Sequence, residues 1–308
     1  MWFKNLRVYR FTKPFTLAPE ALAEKLAEQP FHPCGSQELT RIGFVPPLGD
    51  EGSELIHSSA GYTMLCCKKQ QKVLPAAVVN EALEEKVKAL QAEEGRKLGR
   101  KERQQLKEEL TLTMLPRAFT KSSKLFAYVA APEGLLIINS ASANQAEELL
   151  ITLRELLGSL PVVPITCRHI PVQVMTNWLL HQQPADGLQL GQECELRDPG
   201  EAGGIIRCKN QDLTAANIIN HLQEGMYVAK LALIASAGIE CIVDENLAIK
   251  RLVYGDRIQE KLDQESPETA AQQFDVDFSL MTLELASFLK QLFAAFGGED
   301  LSQLEEAE

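Results

Sequence analysis

The chain has 308 residues, a formal net charge of −11 and a hydrophobic content of 45%. This length suffices for two or three domains, and the hydrophobic content is ordinary for a globular protein. No run of 18 apolar residues occurs, which excludes a transmembrane helix of the usual length. The N-terminal residues lack the pattern of a signal peptide, so we expect a cytoplasmic protein.

Strand patterns dominate the first 74 residues. Strands are predicted at 6–11, 41–45, 54–58 and 62–67, and one amphipathic helix is predicted at 19–28. The turn residues at 59–61 (SAG) separate the third and fourth of these strands, which favours a hairpin.

Residues 75 to 119 have the pattern of two charged helices joined by a short connection. Apolar residues recur at helical spacing and form one narrow stripe on each helix: Val79, Leu83, Val87 and Leu90 on the first, and Leu106, Leu110 and Met114 on the second. Gly95 and Gly99 bracket the connection, and Pro116 ends the second helix. We expect a projecting helical hairpin.

The rest of the chain alternates between strand and helix patterns. Strands are predicted at 125–129, 135–138, 188–190, 194–196, 205–208, 228–235, 240–243 and 248–253, and helices at 144–157, 172–180, 213–223 and about 278–296. Asp212 is placed to cap the third of these helices, and Asp275 to cap the last.

The strands come mostly as hairpins and the helices as separate blocks. This arrangement predicts an α+β fold with antiparallel sheets, packed helices and the projecting hairpin. We expect four parts: 1–74 as the N-terminal α+β part of a central domain, 75–119 as the helical arm and its tip, 120–165 as the return strands and helix of the central domain, and 166–308 as a C-terminal α+β domain.

The charge of the chain is unevenly distributed. Residues 68 to 124 contain 14 Lys and Arg against 8 Glu, a net of +6, which leaves −17 for the remainder of the chain. A basic segment on an acidic protein favours a partner such as the phosphates of a nucleic acid. A solvated charged hairpin without a ligand is the alternative that charge alone leaves open.

Phe119 follows the helix-ending residues 115–118 (LPRA) at the end of the basic segment. One interpretation is that its ring packs back into the base of the hairpin. The other is that it contacts another subunit, since an exposed aromatic side chain is typical of an interaction site.

Patterns typical of enzymes are scarce. The Gly-Gly pairs at 203–204 and 297–298 match neither a phosphate-binding loop nor a dinucleotide site, and the seven scattered cysteines indicate reduced thiols rather than zinc ligands. Asp275, Asp277 and Glu284 could hold the two metal ions of a nuclease, but their spacing does not place all three on one helix face. We therefore predict no catalytic residue, no metal site and no cofactor.

Six short motifs occur in a fixed order between Trp2 and about Gly298. They are 31–37 (FHPCGSQ), 43–47 (GFVPP), 115–119 (LPRAF), 157–164 (LGSLPVVP), 211–214 (QDLT) and 274–282 (FDVDFSLMT). Each motif is weak alone, but the ordered set closely resembles the RdgC family of bacterial recombination-associated proteins.

The resemblance implies a ring-shaped homodimer with a basic central hole that encircles duplex DNA with little sequence preference. It implies a nucleoid-associated protein that restrains RecA-promoted strand exchange and is not an enzyme. The helical arm would make one of two contacts between subunits, with Phe119 docked into the other subunit. The segment that matches Lys209, Asn210 and Gln211 would make the second contact, and Asn210 stands where relatives can carry a lysine.

Basic residues of the hairpin and its return strand are the expected phosphate contacts. They are Lys97, Arg100, Lys101, Arg117, Lys121 and Lys124, followed by Arg7, Lys68, Arg207 and Lys209. The expected partners are DNA, either duplex or single-stranded, a second copy of the chain, and RecA, with no membrane partner. Two alternatives stay open: an adaptor that binds recombination proteins through the arm and Phe119, and a metal-dependent nuclease.

Overall fold

The computed structural model describes residues 2–200, 203–236, 238–264 and 267–302. It shows an α+β fold with antiparallel sheets and packed helices, which confirms this part of the predicted fold class. The projecting hairpin and the ring-shaped dimer stay predictions. The chain divides into two compact units: a larger unit of Met1–Lys25, Pro46–Leu65 and Phe126–Glu308, and a smaller unit of Leu26–Val45 and Cys66–Leu125. The division into four parts at residues 74, 119 and 165 remains a prediction.

The described residues form twelve strands and eight α-helices. The strands are β1 (Arg7–Phe11), β2 (Thr40–Val45), β3 (Ile56–Ser59), β4 (Tyr62–Val73), β5 (Phe119–Ala130), β6 (Leu135–Ile138), β7 (Val162–Pro164), β8 (Leu188–Arg197), β9 (Ile205–Cys208), β10 (Tyr227–Ala235), β11 (Ile239–Asp244) and β12 (Ile249–Tyr254). The helices are α1 (Pro19–Leu26), α2 (Ala76–Glu94), α3 (Arg100–Met114), α4 (Ala143–Leu157), α5 (Pro171–His181), α6 (Ala216–Gln223), α7 (Asp256–Gln264) and α8 (Ala270–Ala295). None of these eight helices has the length and hydropathy of a membrane-spanning segment.

A five-stranded antiparallel sheet of the larger unit has the strand order β12-β11-β10-β8-β9. Buried and half-buried residues alternate along β10 because successive side chains point to opposite faces of a sheet. Leu231 and Leu233 face the hydrophobic core, whereas Lys230 lies on the other face and is half-buried. This second face therefore carries the polar side chains of the sheet.

The remaining strands of the larger unit also pair antiparallel. The last residues of β5 pair with β6, from Ala127 opposite Ile138 to Ala130 opposite Leu135. Strand β1 lies between β6 and β7, and β3 forms the predicted hairpin with the first residues of β4. All four residues of β6 are buried, as expected for a strand with packed faces on both sides.

Helix α8 supplies much of the core of the larger unit. Its buried residues recur at intervals of three and four: Phe278, Met281, Leu285, Phe288, Leu289 and Leu292. The hydroxyl of Thr269 accepts a hydrogen bond from the amide of Gln272 (3.2 Å), and the side chain of Gln272 accepts one from the amide of Thr269. This capping box starts the helix earlier than predicted, so Asp275 lies inside the helix and is not its cap.

Three further details differ from the sequence-based expectations. Asp212 accepts hydrogen bonds from the amide and hydroxyl of Thr214 within a turn, and the helix begins only at Ala216. Such local bonds of Asp compete with a helix start. The segments 188–190 and 194–196 belong to the single strand β8. Helix α7 was not predicted, because Ile258 and Leu262 are its only apolar residues.

The smaller unit combines strands with the two helices of the basic segment. Strand β2 pairs antiparallel with β4, from Thr40 opposite Gln71 to Val45 opposite Cys66, and β5 is the next strand beyond β4. Helices α2 and α3 contact each other, and their buried residues are Val79, Val87 and Leu106. The other residues of the two apolar stripes, Leu83, Leu90, Leu110 and Met114, are half-buried.

Candidate nucleic-acid interface

Glu102 organises the connection between α2 and α3. Its carboxylate accepts hydrogen bonds from the guanidinium of Arg96 (2.7 and 3.0 Å) and from the amide of Gly99 (2.7 Å). The hydrogen bond from Arg96, and to a lesser extent the one from the Gly99 amide, lowers the pKa of Glu102 to about 2. Helix α2 ends at Gly95, whose φ of +66° lies in the left-handed region that favours glycine.

The connection and the first two residues of α3 contain one cation that is paired with carboxylates, Arg96, and three that form no ion pair with a described residue. Arg96 is also 2.8 Å from the carboxylate of Glu94, so two glutamates balance its charge. Lys97, Arg100 and Lys101 are exposed and form no ion pair with any residue that the structure describes. These three predicted phosphate contacts lie together at one end of α3.

The other three predicted contacts lie beyond the opposite end of α3. Arg117 ends the 3-10 turn Leu115–Arg117 that follows the helix, and Lys121 and Lys124 belong to β5. All three are exposed, and none is ion-paired within the described parts of the chain. Since α3 has 15 residues, about 22 Å of helix separates the two groups at 1.5 Å per residue.

Lys121 and Lys124 lie on opposite faces of β5. A hydrogen bond of 3.2 Å joins Gln70 to Ser122, so these two side chains share one face of the smaller unit's sheet. The two-residue period of a strand then puts Lys124 on the face of Gln70 and Lys121 on the face of Phe119. Burial raises the pKa of Cys66 to about 12, and the charge of Lys124 opposes this rise, which fits the same face.

Phe119 is the first residue of β5 and is 85% exposed. The interpretation in which its ring packs back into the base of the hairpin is therefore wrong. Leu115, four residues earlier, is 1% exposed and fills the buried position instead. The sequence motif at 115–119 places an aromatic ring in solvent directly after a turn that is anchored by a leucine.

Lys209, Asn210 and Gln211 form an exposed turn after β9. Asn210 has a φ of +50°, a left-handed conformation that asparagine tolerates better than most residues. The amide of Gln211 donates a hydrogen bond to the carbonyl of Gln192 (3.2 Å), which fixes the end of the turn to β8.

A buried carboxylate that the sequence analysis missed holds three cations together. Glu195 is 4% exposed and accepts hydrogen bonds from Lys230 (2.8 Å), Arg207 (2.9 Å) and Arg197 (2.8 Å). Burial raises the pKa of Glu195, but these hydrogen bonds outweigh it and lower the pKa to about 2. The signal in the sequence is a glutamate inside the alternating stretch 194–197 (CELR).

The carboxylates considered for a nuclease site have separate partners. Asp275 is 3.0 Å from the imidazole of His57, and Glu284 accepts a hydrogen bond from Lys261. Asp277 accepts a hydrogen bond from Gln273 within the same helix. Within the described ranges, no group of three or more His, Cys, Asp or Glu side chains could hold a metal ion.

A protein-family model described as "Putative exonuclease, RdgC" matches residues 1–299. The chain belongs to the RdgC family. Two relatives named recombination-associated protein RdgC, from strains GB-1 and KT2440 of Pseudomonas putida, are each 47% identical over 98% of this chain and 99% of their own length. The relative of that name from Aeromonas hydrophila is 45% identical over 98% of this chain and its full length.

The RdgC match confirms the family that the six ordered motifs predicted. The name shared by the relatives links this RdgC-family chain to recombination and does not name an enzyme. The description of the family model adds a putative exonuclease activity, which the names of the relatives do not repeat.

Proposed function

We propose that this RdgC-family protein binds DNA without sequence preference and restrains RecA-promoted recombination. In this proposal it acts as a nucleoid-associated, ring-shaped homodimer around duplex DNA and is not an enzyme. The observation that supports it best is the pair of free cationic groups at the two ends of α3. They are Lys97, Arg100 and Lys101 on one side, and Arg117, Lys121 and Lys124 on the other.

The spacing of the two groups suits a phosphate backbone. Successive phosphates of one DNA strand lie about 3.4 Å apart along the helix axis, so about 22 Å of α3 corresponds to roughly six phosphates. Contacts of this kind position a protein on DNA without reading its sequence. The cations are long, flexible and unpaired, which leaves them available to displace counterions from the phosphates.

The acidic remainder of the chain favours confinement of DNA to the basic segment. Residues 68 to 124 carry +6 and the rest of the chain −17. An acidic surface repels a polyanion, whereas a basic patch attracts it. A ring with a basic inner surface and an acidic exterior would use both effects.

Two exposed elements are the proposed dimer contacts. The helical arm of residues 75–119 would make the first contact, with Phe119 docked into the other subunit. The turn at Lys209, Asn210 and Gln211 would make the second. An aromatic ring that is 85% exposed offers a large apolar area to a partner, and such rings often dominate the binding energy of an interface.

The decisive test is duplex-DNA affinity across a salt series, with the oligomer mass measured in the same buffers. We expect a dimer whose log affinity falls steeply and linearly with log salt concentration, and similar affinities for unrelated sequences. Salt-independent binding, a monomer, or a single preferred operator would contradict the proposal.

Phe119→Ala tests the contact of the arm. We expect the dimer to persist through its second contact while the ring opens more readily. Retention on closed circular DNA should then fall more than affinity for a short linear duplex. Equal losses on both substrates would show that Phe119 does not close the ring.

The exposure of Phe119 also favours a second candidate function, an adaptor that binds recombination proteins through the arm. A pull-down of RecA after complete digestion of nucleic acid separates the two. Capture of RecA that depends on Phe119 but not on DNA would favour the adaptor, and loss of capture after digestion would favour the DNA-binding ring.

The family description motivates a test for nuclease activity. The protein is incubated with plasmid and linear DNA in the presence of Mg²⁺ or Mn²⁺, since a two-metal mechanism needs such ions. We expect intact DNA after long incubation. Degradation that is lost in Asp275→Asn or Asp277→Asn protein would contradict the non-enzymatic proposal.

A further inference from the structure

Two of the seven cysteines face each other across neighbouring strands. Cys194 of β8 stands directly opposite Cys208 of β9 in the antiparallel register. Directly opposed residues of such strands have Cα atoms about 4.5 or 5.5 Å apart, and a disulfide spans Cα separations of about 4.4–6.8 Å. Their side chains lie on the same face of the sheet, and the Cβ atoms of such a pair are about 4.5–5.5 Å apart.

The two thiols differ in access to solvent. Cys194 is 5% exposed and belongs to the hydrophobic core, whereas Cys208 is half-buried at the edge strand of the sheet. Burial, and to a lesser extent the neighbouring Cys208, raises the pKa of Cys194 to about 12. An oxidant from solvent therefore reaches the thiol of Cys208 first. The thiol of Cys194 is buried and can react only afterwards, with Cys208.

The other cysteines have different surroundings. Cys66 and Cys67 are adjacent in β4, so their side chains point to opposite faces of the sheet. The thiol of Cys34 donates a hydrogen bond to the carbonyl of Gln70 (3.2 Å) rather than to a second thiol. These residues provide internal controls for the reactivity of the pair in β8 and β9.

We propose that Cys194 and Cys208 form a redox-active pair that closes to an intramolecular disulfide. The co-reactant is a hydroperoxide. The sulfur of Cys208 attacks the distal oxygen, the O–O bond breaks, and Cys208 becomes a sulfenic acid as an alcohol or water leaves. The sulfur of Cys194 then attacks the Cys208 sulfur, the S–O bond breaks, and the hydroxide leaves as water with the Cys194 proton. Two thiols and one hydroperoxide thus give a disulfide, one alcohol or water, and one further water.

The disulfide would tie the edge strand β9 covalently to β8 at the residue before Lys209. The turn at Lys209, Asn210 and Gln211 would then be anchored at both ends, since the Gln211 amide already bonds to Gln192. A contact made by an ordered turn loses less conformational entropy than one made by a mobile turn. If this turn forms the second dimer contact, a consequence that rests on the proposed function, oxidation slows exchange of subunits.

The test treats the full chain with hydrogen peroxide, blocks the remaining thiols with an alkylating agent and maps the peptides by mass spectrometry. We expect two of the seven thiols to disappear, a peptide that links Cys194 to Cys208, and recovery of both thiols with excess dithiothreitol. Seven persistent thiols, a linkage between other cysteines or between two chains, or over-oxidation of Cys208 beside a free Cys194 would overturn the proposal.

Three variants make the mapping decisive. In Cys194→Ser, Cys208 should persist as a sulfenic acid that dimedone traps, whereas Cys208→Ser should leave Cys194 unreacted. The half-buried Cys208 is the safer substitution if Cys194→Ser fails to fold. Cys34→Ser is the matched control and should form the same disulfide as the unmodified chain. Subunit exchange is measured separately, so failure of the proposed dimer leaves the chemical result intact.

Discussion

Two regions of the molecule concentrate basic side chains, and they differ in what neutralises the charge. At the connection between α2 and α3, Lys97, Arg100 and Lys101 are exposed without ion pairs to any described residue. On the five-stranded sheet, Lys230 and Arg207 are hydrogen-bonded to the buried carboxylate of Glu195.

The comparison shows that a count of basic residues does not identify a phosphate site. The cations around Glu195 already have a partner that is preorganised and shielded from water, so an incoming phosphate would have to displace it. The cations of the connection interact with water and salt, and release of that salt is the driving force for binding to a polyanion. The Glu195 cluster therefore stabilises the fold, whereas the cations at the connection are available to a ligand.

The largest expected effect comes from Glu195→Gln. Removal of this buried charge leaves Lys230 and Arg207 without their counter-charge, whereas Arg197 retains Glu245. We expect a loss of about 3 kcal/mol in the free energy of unfolding. Urea unfolding measures it. Glu193→Gln is the matched control, because the ion pair of Glu193 with Arg251 is more exposed and should contribute under about 1 kcal/mol. Equal losses in the two variants would show that the buried Glu195 contributes no more to stability than an exposed ion pair does.

The same carboxylate predicts a dependence of stability on pH. The pKa of Glu195 is about 2 in the folded protein, below its ordinary value of 4.5. Its contribution is therefore complete above pH 4.5 and is lost as the pH falls towards 2. The difference in unfolding free energy between the unmodified chain and Glu195→Gln should shrink over this range, as followed by urea titrations. A difference that stays constant would show that Glu195 does not titrate there.

Neutralisation of the connection should affect DNA rather than stability. In a Lys97→Gln, Arg100→Gln, Lys101→Gln triple variant, we expect the slope of log affinity against log salt to fall by about 3, one for each lost phosphate contact. Affinity near 0.1 M salt should decrease at least about tenfold. Arg207→Gln is the control, with a single cation removed from the Glu195 cluster. We expect its slope to stay unchanged, and a fall of about 1 would place DNA at the Glu195 cluster as well.

The smallest expected effect comes from Glu102→Gln. The variant retains an oxygen acceptor for the Gly99 amide but loses one of the two carboxylate charges that pair with Arg96. We expect faster hydrogen exchange of backbone amides in the connection, with an unchanged urea midpoint for the whole chain. Exchange at unchanged rates would show that the connection is ordered by other contacts.

The sequence predicted most elements because their patterns are local. The stripes of α2 and α3 and the strands of the meander at 228–253 follow from the spacing of apolar residues, and the six ordered motifs identified the family. The predicted start of α8 is too late because its first four residues (AAQQ) include no large apolar side chain, and its capping box depends on Thr269 and Gln272. Asp212 was assigned to a helix it does not cap, since local hydrogen bonds to Thr214 compete.

The site was harder to predict because it depends on which side chains meet. The partners of Glu195 come from three different strands, β8, β9 and β10, and only the strand order brings them together. The exposure of Phe119 depends on the burial of Leu115 in the preceding turn. Charge counting indicates a basic segment, but the neutralisation of Arg96 is visible only in the geometry of Glu102.

The left-handed backbone of Asn210 restricts how this protein can change over evolution. A lysine at this position would add a cation to an exposed turn, but it would also have to adopt a φ near +50°, which costs side chains with a Cβ about 1 kcal/mol or more. Glycine or aspartate would accept the conformation without adding positive charge. The cost does not exclude lysine, since Arg251 of the same chain adopts a φ of +51°. A lineage that gains lysine here therefore accepts a loss of about 1 kcal/mol in stability together with the added cation.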